Sequence, residues 1–362
     1  MKRVDLTPTA VLNPSTSKPL IDDFMIPLLA ERTEEARRIN PHYETLWQDI
    51  QKLYNAGGKR LRSYMTLLAF ETFSEKPVTS ILPAAAAQEL LHIAMLIHDD
   101  IIDRDDIRHG IKNISGEYMD HYEEIIEDAH DRRHYASSAA ILAGDLLISE
   151  AYILITETDA NPAAILTAQR LLSKAMFQVI GGELLDTEAA FRGADAADPL
   201  AIAEQKTASY SFVGPFLTGA TLAEATPIQL ERLQRFGEQL GIAYQLRDDM
   251  IGIFGNQQAT GKSVSGDILE GKRTFLIEEF NKLADETQRI TFDALFGRHD
   301  LKAKEIDTVR ALLVESGAKA AVETLINAYQ KHTHVLLNEL DLDEAHHAAF
   351  SSLIDMCLTR DY

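Results

Sequence analysis

Two widely separated aspartate clusters carry most of the chemistry legible in this chain. The first reads His98-Asp99-Asp100-Ile101-Ile102-Asp103 and follows the apolar run from Leu90 to Ile97. The second reads Gln245-Leu246-Arg247-Asp248-Asp249-Met250-Ile251-Gly252, again at the polar end of an apolar helical stretch. On a helix, Asp99 and Asp103 share one face about 6 Å apart, with Asp100 beside them. Like charges at that spacing repel unless a cation meets them, and carboxylates at the inner end of an apolar helix are costly without one. A solvated acidic helix end would give the same local pattern, but the apolar helix feeding into the acids argues for a cavity. Phe236, Leu240, Tyr244 and Asp248 recur at spacing four, so the second cluster also ends an apolar wall. Two such sites point to hard divalent cations, Mg²⁺ above all, with a phosphate-bearing substrate.

Basic groups stand where such a substrate would need them. Gly57-Gly58-Lys59-Arg60-Leu61-Arg62 places glycines before a helix start and cations in its first turn. That reverses the usual dipole preference and suggests an anion bound there, helped by exposed N–H groups. Arg108-His109-Gly110 follows the first cluster, Lys206-Thr207 lies in a helix rich in Ala and Ser, and Gly261-Lys262 and Gly271-Lys272-Arg273 follow the second. Each of these alone reads equally well as a solvated basic patch.

The elements that must hold these residues are helical almost throughout, because apolar residues recur at three and four. Asp198-Pro199 and Thr226-Pro227, the latter with Gln229, are helix starts with a cap and a first-position proline. Alternating β-branched runs bounded by turns are missing, so no convincing sheet is expected. Residues 1–20, punctuated by Pro8, Pro14 and Pro19, read as an extended N-terminal segment, and 21–362 as a single all-α domain. Residues 117–135 are dense in charge and read as a solvated helix or loop between core helices. Hydrophobic residues make up 46% of the 362, which fits a globular protein. The net charge of −21 argues against nucleic-acid binding, which needs a basic face. The single cysteine, Cys357, allows no intrachain disulfide and suits a reducing cytoplasm. No apolar h-region opens the chain, and apolar runs break before about 18 residues, so no signal peptide or transmembrane segment is expected.

Taken together, these motifs resemble the trans-isoprenyl diphosphate synthase (polyprenyl synthetase) family, in order and spacing, from about Gly57 to Thr274. Asp99-Asp100-Ile101-Ile102-Asp103 matches its first Asp-Asp-x-x-Asp motif, Gly57 to Arg62 its Gly-Gly-Lys-Arg-x-Arg element, and His92 its helix histidine. Lys206-Thr207, Gln245 through Asp249, and Gly261 through Thr274 match its later elements. The resemblance implies an all-α isoprenoid synthase-type bundle around a deep central cavity, as a homodimer, with the two acidic clusters facing each other. Asp99, Asp103 and Asp248 would hold about three Mg²⁺ ions, with Asp100 and Asp249 alongside. Arg108, Lys206, Thr207, Gln245 and Lys262 are placed like the family's contacts to an allylic diphosphate. Lys59, Arg60 and His92 match its site for isopentenyl diphosphate. The implied reaction is a head-to-tail prenyl transfer, in which the proton passes to the released diphosphate.

Three departures stand out. His109 replaces the second arginine of an Arg-Arg pair, at a position that helps hold isopentenyl diphosphate. Gly252 replaces the last acid of the second motif. Glu183 stands where the family often has glutamine. Ala94 and Met95, five and four residues before Asp99, occupy the positions that shape the floor of the product cavity. Neither is aromatic, so the implied product has about twenty carbons or more rather than stopping at farnesyl diphosphate. A terpene cyclase would need a different second motif and no second diphosphate site. A non-catalytic partner subunit would be expected to lose the aspartates that this chain keeps.

Overall fold

The computed structural model describes residues 11–192, 198–255 and 266–359. Helices form nearly all of it, as the apolar spacing requires. The first is α1 (Pro14–Ile39), and it corrects the extended segment expected to reach residue 20, because helix already begins at Pro14. Asn13 caps the helix by accepting from the N–H groups of Ser15 and Thr16, and the Thr16 side chain closes a capping box. Pro14 sits at the first helical position, where its missing N–H costs nothing, while Pro19 and Pro27 are carried inside. α2 (Pro41–Asn55), α3 (Leu61–Phe73) and α4 (Leu82–Ile102) follow.

The described residues contain one two-stranded ribbon, β1 (Ile107–Arg108) and β2 (Ile111–Lys112), whose strands are too short to form an alternating run. Its turn is His109-Gly110, with φ of 53° and 76°, the paired left-handed residues of a tight hairpin turn. The charged segment divides between α5 (Ile114–His121) and α6 (Ala129–Thr156), whose first turn is capped by Asp128. α7 (Pro162–Arg192) leads to α8 (Pro199–Ile202), a π-helical stretch (Ala203–Val213), α9 (Gly214–Leu222) and α10 (Pro227–Phe254). Asp198 and the Thr226–Gln229 box cap their helices as the sequence predicts. The chain closes with α11 (Gly266–Glu270), α12 (Phe275–Leu283), α13 (Glu286–Asp293), α14 (Ala303–Glu315), α15 (Ala318–Glu339) and α16 (Glu344–Leu358).

Packing follows from which faces are apolar. α4 packs on α6 and α3 on α9, while α7 and α10 close on the π-helical stretch from two sides. Phe216, Phe236 and Phe350, all fully buried, stack where α9, α10 and α16 meet. A second apolar cluster joins the C-terminal half of α10 to the helices after it, through Leu246, Phe280, Phe292 and Val322. Two helical runs, Val78–Ile102 and Ala129–Thr156, are long and apolar enough by composition to cross a membrane, a feature that counting unbroken apolar runs passes over. The first has 67% of its apolar window inside the fold, which marks it as a core helix, whereas only 44% of the second is covered.

Candidate active site between two acidic helices

The first acidic cluster forms the last turn of α4. Asp103 is the cap residue, and its N–H donates to the carbonyl of Asp99, so the spacing of the two acids survives the helix end. The hairpin that follows returns Arg108 onto the same turn. Its Nε donates to Asp100 Oδ1 at 2.8 Å and its Nη2 to Asp99 Oδ2 at 3.2 Å, with a second, shorter contact to Asp100. Asp100 and Arg108 are both 2% exposed. Burial pushes the Asp100 carboxyl up to about 6, although Arg108 opposes the shift. Asp100 therefore faces Arg108, and Arg108 is tied to the acidic turn rather than projecting from it.

The π-helical stretch brings up the next cation. Lys206 Nζ lies 2.7 Å from Asp186 Oδ2, 2.9 Å from Glu183 Oε2 and 3.7 Å from Asp99 Oδ1. Burial alone would lower its pKa, but the three carboxylates outweigh that and keep the ammonium charged. Gly182 makes this contact possible. A Cβ there would collide with the Lys206 backbone N and stand 2.7 Å from its Cα, so only glycine lets α7 approach so closely. On the other side, a Cβ on Gly241 would lie 2.5 Å from Ala208 Cα, so α10 also approaches at a glycine.

The second cluster joins the first through side chains of the π-helical stretch and α11. Thr207 Oγ1 donates to Gln245 Oε1, and Gln245 Nε2 donates to Asp249 Oδ1 at 2.6 Å. Burial, with Asp267 as its strongest charged neighbour, pushes the Asp249 carboxyl well above the usual range. Asp248, on the next position, is exposed. Lys272 Nζ lies 2.9 Å from Asp103 Oδ2 and 3.0 Å from Glu270 Oε2, so a single ammonium links α4 to the α11 region. Lys272 and Glu183 belong to the site, and the Gly-Lys-Arg-Thr spelling was the signal available for the former.

The basic element near Gly57 divides its cations differently from the sequence expectation. Lys59 and Arg60 precede α3 instead of lying in its first turn. Arg60, expected to face isopentenyl diphosphate, points into the fold. Its Nε donates to Asp22 Oδ1 (2.9 Å), and its Nη atoms donate to the carbonyls of Gly57 (2.8 Å) and Tyr54 (2.9 Å). The left-handed backbone at Arg60, φ 52°, turns it inward. Arg62 takes the outward place. Its Nη2 donates to Ser211 Oγ (2.6 Å) and Tyr210 OH (3.2 Å), while its buried Nε makes no hydrogen bond.

His92 lies close by, its ring 6.4 Å from that of Tyr210, and its Nδ1 is buried with no hydrogen-bond partner. Burial first, then Arg62 and Arg108, hold the imidazole well below its usual range, so it is neutral. Lys59 and His109 are exposed at the same corner, and a Cβ on Gly57 would lie 3.7 Å from His109 Cγ. Ala94 is fully buried, whereas Met95 is half-buried and packs with Ala175, Val179 and Tyr210. Lys262 lies outside the described residues.

The donor set suits Mg²⁺. Asp99, Asp103, Glu183, Asp186, Asp248, Asp267 and Glu270 supply oxygen only, and they outnumber the ammonium groups of Lys206 and Lys272 among them. A separate trio, Asp49, Glu117 and His121, already makes its contacts within the protein. His121 Nε2 lies 3.0 Å from Asp49 Oδ2, and Lys52 pairs with Glu117.

Comparison with known proteins gives this arrangement its context. The sequence pattern of the polyprenyl synthetase family matches residues 43–313. A geranylgeranyl diphosphate synthase of Methanosarcina mazei is 30% identical over 321 residues, covering 88% of this chain and 91% of its own. A short chain isoprenyl diphosphate synthase of Methanocaldococcus jannaschii is 30% identical, covering 77% and 82% respectively. The crystal structure of a Corynebacterium glutamicum geranylgeranyl pyrophosphate synthase, complexed with isoprenyl diphosphate and magnesium, superposes with a TM-score of 0.87 at 26% identity. That match covers 96% of this chain and 98% of the other. The chain belongs to the polyprenyl synthetase family and is a trans-prenyltransferase.

Proposed function

We propose that the chain condenses isopentenyl diphosphate with an allylic diphosphate, extending it head to tail to a product of about twenty carbons or more. The observation that carries this reading is the pair of lysines that bridge the acidic segments. Lys206 reaches Asp99, and Lys272 reaches Asp103, so the acids of α4 converge with cations on two other segments. Asp99, Asp103 and Asp248 would hold about three Mg²⁺ ions, which when bound neutralise charge on the departing diphosphate. Lys206, and Lys262 by resemblance, add positive charge to the same leaving group. Thr207 and Gln245 fix Asp249 beside it. Arg62, Lys59 and His109 would hold the diphosphate of isopentenyl diphosphate, with neutral His92 contributing a hydrogen bond. Arg60 supports that corner from inside. The half-buried thioether of Met95, with Ala94 behind it, would form the floor that the growing chain meets.

A homodimer accounts for an apolar stripe that the fold leaves uncovered. Leu166, Phe177, Ile180 and Leu184 follow one face of α7, and Phe177 is 82% exposed. Leu142 and Ile153 extend the patch onto α6, which is the helix whose apolar window the fold covers least. The single-domain reading and a cytoplasmic location stand with this proposal, supported by the one buried cysteine.

The test is turnover of labelled isopentenyl diphosphate by the purified chain, with dimethylallyl, geranyl and farnesyl diphosphates as primers and Mg²⁺ present. Elongation past farnesyl diphosphate is expected. A product that stops at farnesyl diphosphate would overturn the length assignment, and no incorporation with any primer would overturn the reaction.

A further inference from the structure

The turn that carries Lys272 is seated on residues beyond Thr274, where the matched motifs end. Two glycine backbones meet there. Gly271 and Gly297 have φ of 72° and 82°, a region that residues with a side chain rarely occupy. A Cβ on Gly271 would stand 3.1 Å from Gly297 Cα, and one on Gly297 would stand 3.6 Å from Gly271 Cα. These contacts are with main chain, which does not swing aside as the tip of a side chain does. The N–H of Gly297 also donates to the carbonyl of Ile268 at 2.9 Å, and Ile268 is fully buried.

Side chains fix the same seat from the other end. The Arg273 guanidinium lies 5.4 Å from the centroid of the Phe296 ring. Phe296 stacks on Phe292 with centroids 4.6 Å apart, and Phe292 meets Phe280 at 4.3 Å. Phe292 and Phe280 are fully buried, so the stack runs from the turn into the core of α12 and α13. Lys272 lies between the two supports. Its N–H donates to the carbonyl of Asp267 at 3.0 Å, and its Nζ lies 2.9 Å from Asp103 Oδ2. Both chain neighbours of the bridging lysine are therefore held by one two-residue seat.

We propose that Phe296 and Gly297 are positioning residues for prenyl transfer. They hold the backbone on either side of Lys272 and so set where its ammonium meets Asp103 and the substrate diphosphate. They act through Lys272 and touch no substrate themselves. This rests on the reading of Lys272 as part of the active site.

Steady-state kinetics of the full-length chain tests it, with geranyl and isopentenyl diphosphates varied separately and thermal midpoints measured alongside. Gly297→Ala and Phe296→Leu should each lower kcat/KM for geranyl diphosphate about tenfold or more, because small displacements of a positioning group are costly. Phe296→Tyr, which keeps a ring against Arg273, should stay within about twofold of the parent. The deciding measurement is a double-mutant cycle with Lys272→Gln. Once the ammonium is gone, Gly297→Ala and Phe296→Leu should each cost less than about twofold more. Calorimetry with inorganic diphosphate reads the same displacement without turnover, and its affinity should fall in both variants. A loss of equal size in both backgrounds overturns the proposal, as do variants that change only in thermal midpoint. Full activity in Gly297→Ala and Phe296→Leu beside an impaired Lys272→Gln removes the positioning role and leaves the reading of Lys272 intact. An unimpaired Lys272→Gln overturns that reading, and the proposal with it.

Discussion

Arg60 and Arg62 differ by two positions and should fail in opposite ways when changed to methionine. Arg60→Met removes three hydrogen bonds, to Asp22 and to the carbonyls of Gly57 and Tyr54, and the stacking of the guanidinium 3.7 Å over the Tyr54 ring. It also strips the counter-charge from Glu89, which is 3% exposed and 3.5 Å from Arg60 Nη1. Breaking a buried pair in this way costs about 3–5 kcal/mol. In a chain of this length that is roughly 4–10 °C in thermal midpoint.

Arg62→Met gives up only hydrogen bonds to Ser211 and Tyr210 hydroxyls, each about 1 kcal/mol. In its proposed role its main loss would be a charged contact to the diphosphate, about 1.5–3 kcal/mol, or roughly 12- to 150-fold in the KM for isopentenyl diphosphate. Calorimetry and initial rates on both variants measure the two effects. A full thermal midpoint with a raised KM in Arg60→Met, or an unchanged KM in Arg62→Met, would refute the division of labour.

Four further outcomes are expected. His109→Arg should lower the KM for isopentenyl diphosphate, because the exposed ring lies beside Gly57 in the proposed subsite, and an unaltered KM would dismiss the contact. Met95→Phe should shift products toward shorter chains by filling space against Val179 and Tyr210, and chromatography of the products would expose an unmoved distribution. Phe177→Glu should convert the proposed dimer to monomer in light scattering, since it places a charge on the most exposed residue of the α7 stripe. Burial alone would raise the Asp22 carboxyl, but hydrogen bonds from Lys18, Tyr54 and Arg60 hold it below its usual range. Its contribution is thus present above about pH 4 and is lost as pH falls through the lowered native value. Asp22→Asn should unfold at a lower temperature than the parent at pH 7, and the two melting curves should converge toward about pH 3. A constant gap would count against the assignment.

Much of this was legible because spacing and caps are local. Asp99 and Asp103 sit one turn apart as their separation requires, and Asp198 and Thr226 start their helices where a cap precedes proline. Asn13-Pro14 carried the same signal, but the neighbouring prolines masked it as extended chain. Other features depend on tertiary context. Nothing in Gly57 to Arg62 says that Arg60 will adopt a left-handed backbone and turn inward, because both arginines are equally basic in the sequence. The His109-Gly110 hairpin has strands too short for an alternating pattern. Asp267 could be seen as an acid, but its position over Gly252 arises only once α11 folds back onto α10.

The π-helical stretch is the least expected element, since apolar periodicity does not distinguish it from ordinary helix. Its i→i+5 pattern holds more residues in each turn than an α-helix does. Removing a single residue from Ala203–Val213 and letting the backbone relax to the α form would rotate one end against the other by about 100°. Lys206, and the Tyr210 and Ser211 partners of Arg62, could not then all keep their present bearings. For this stretch, length is a constraint in its own right: a one-codon deletion that makes the helix more regular should silence the enzyme.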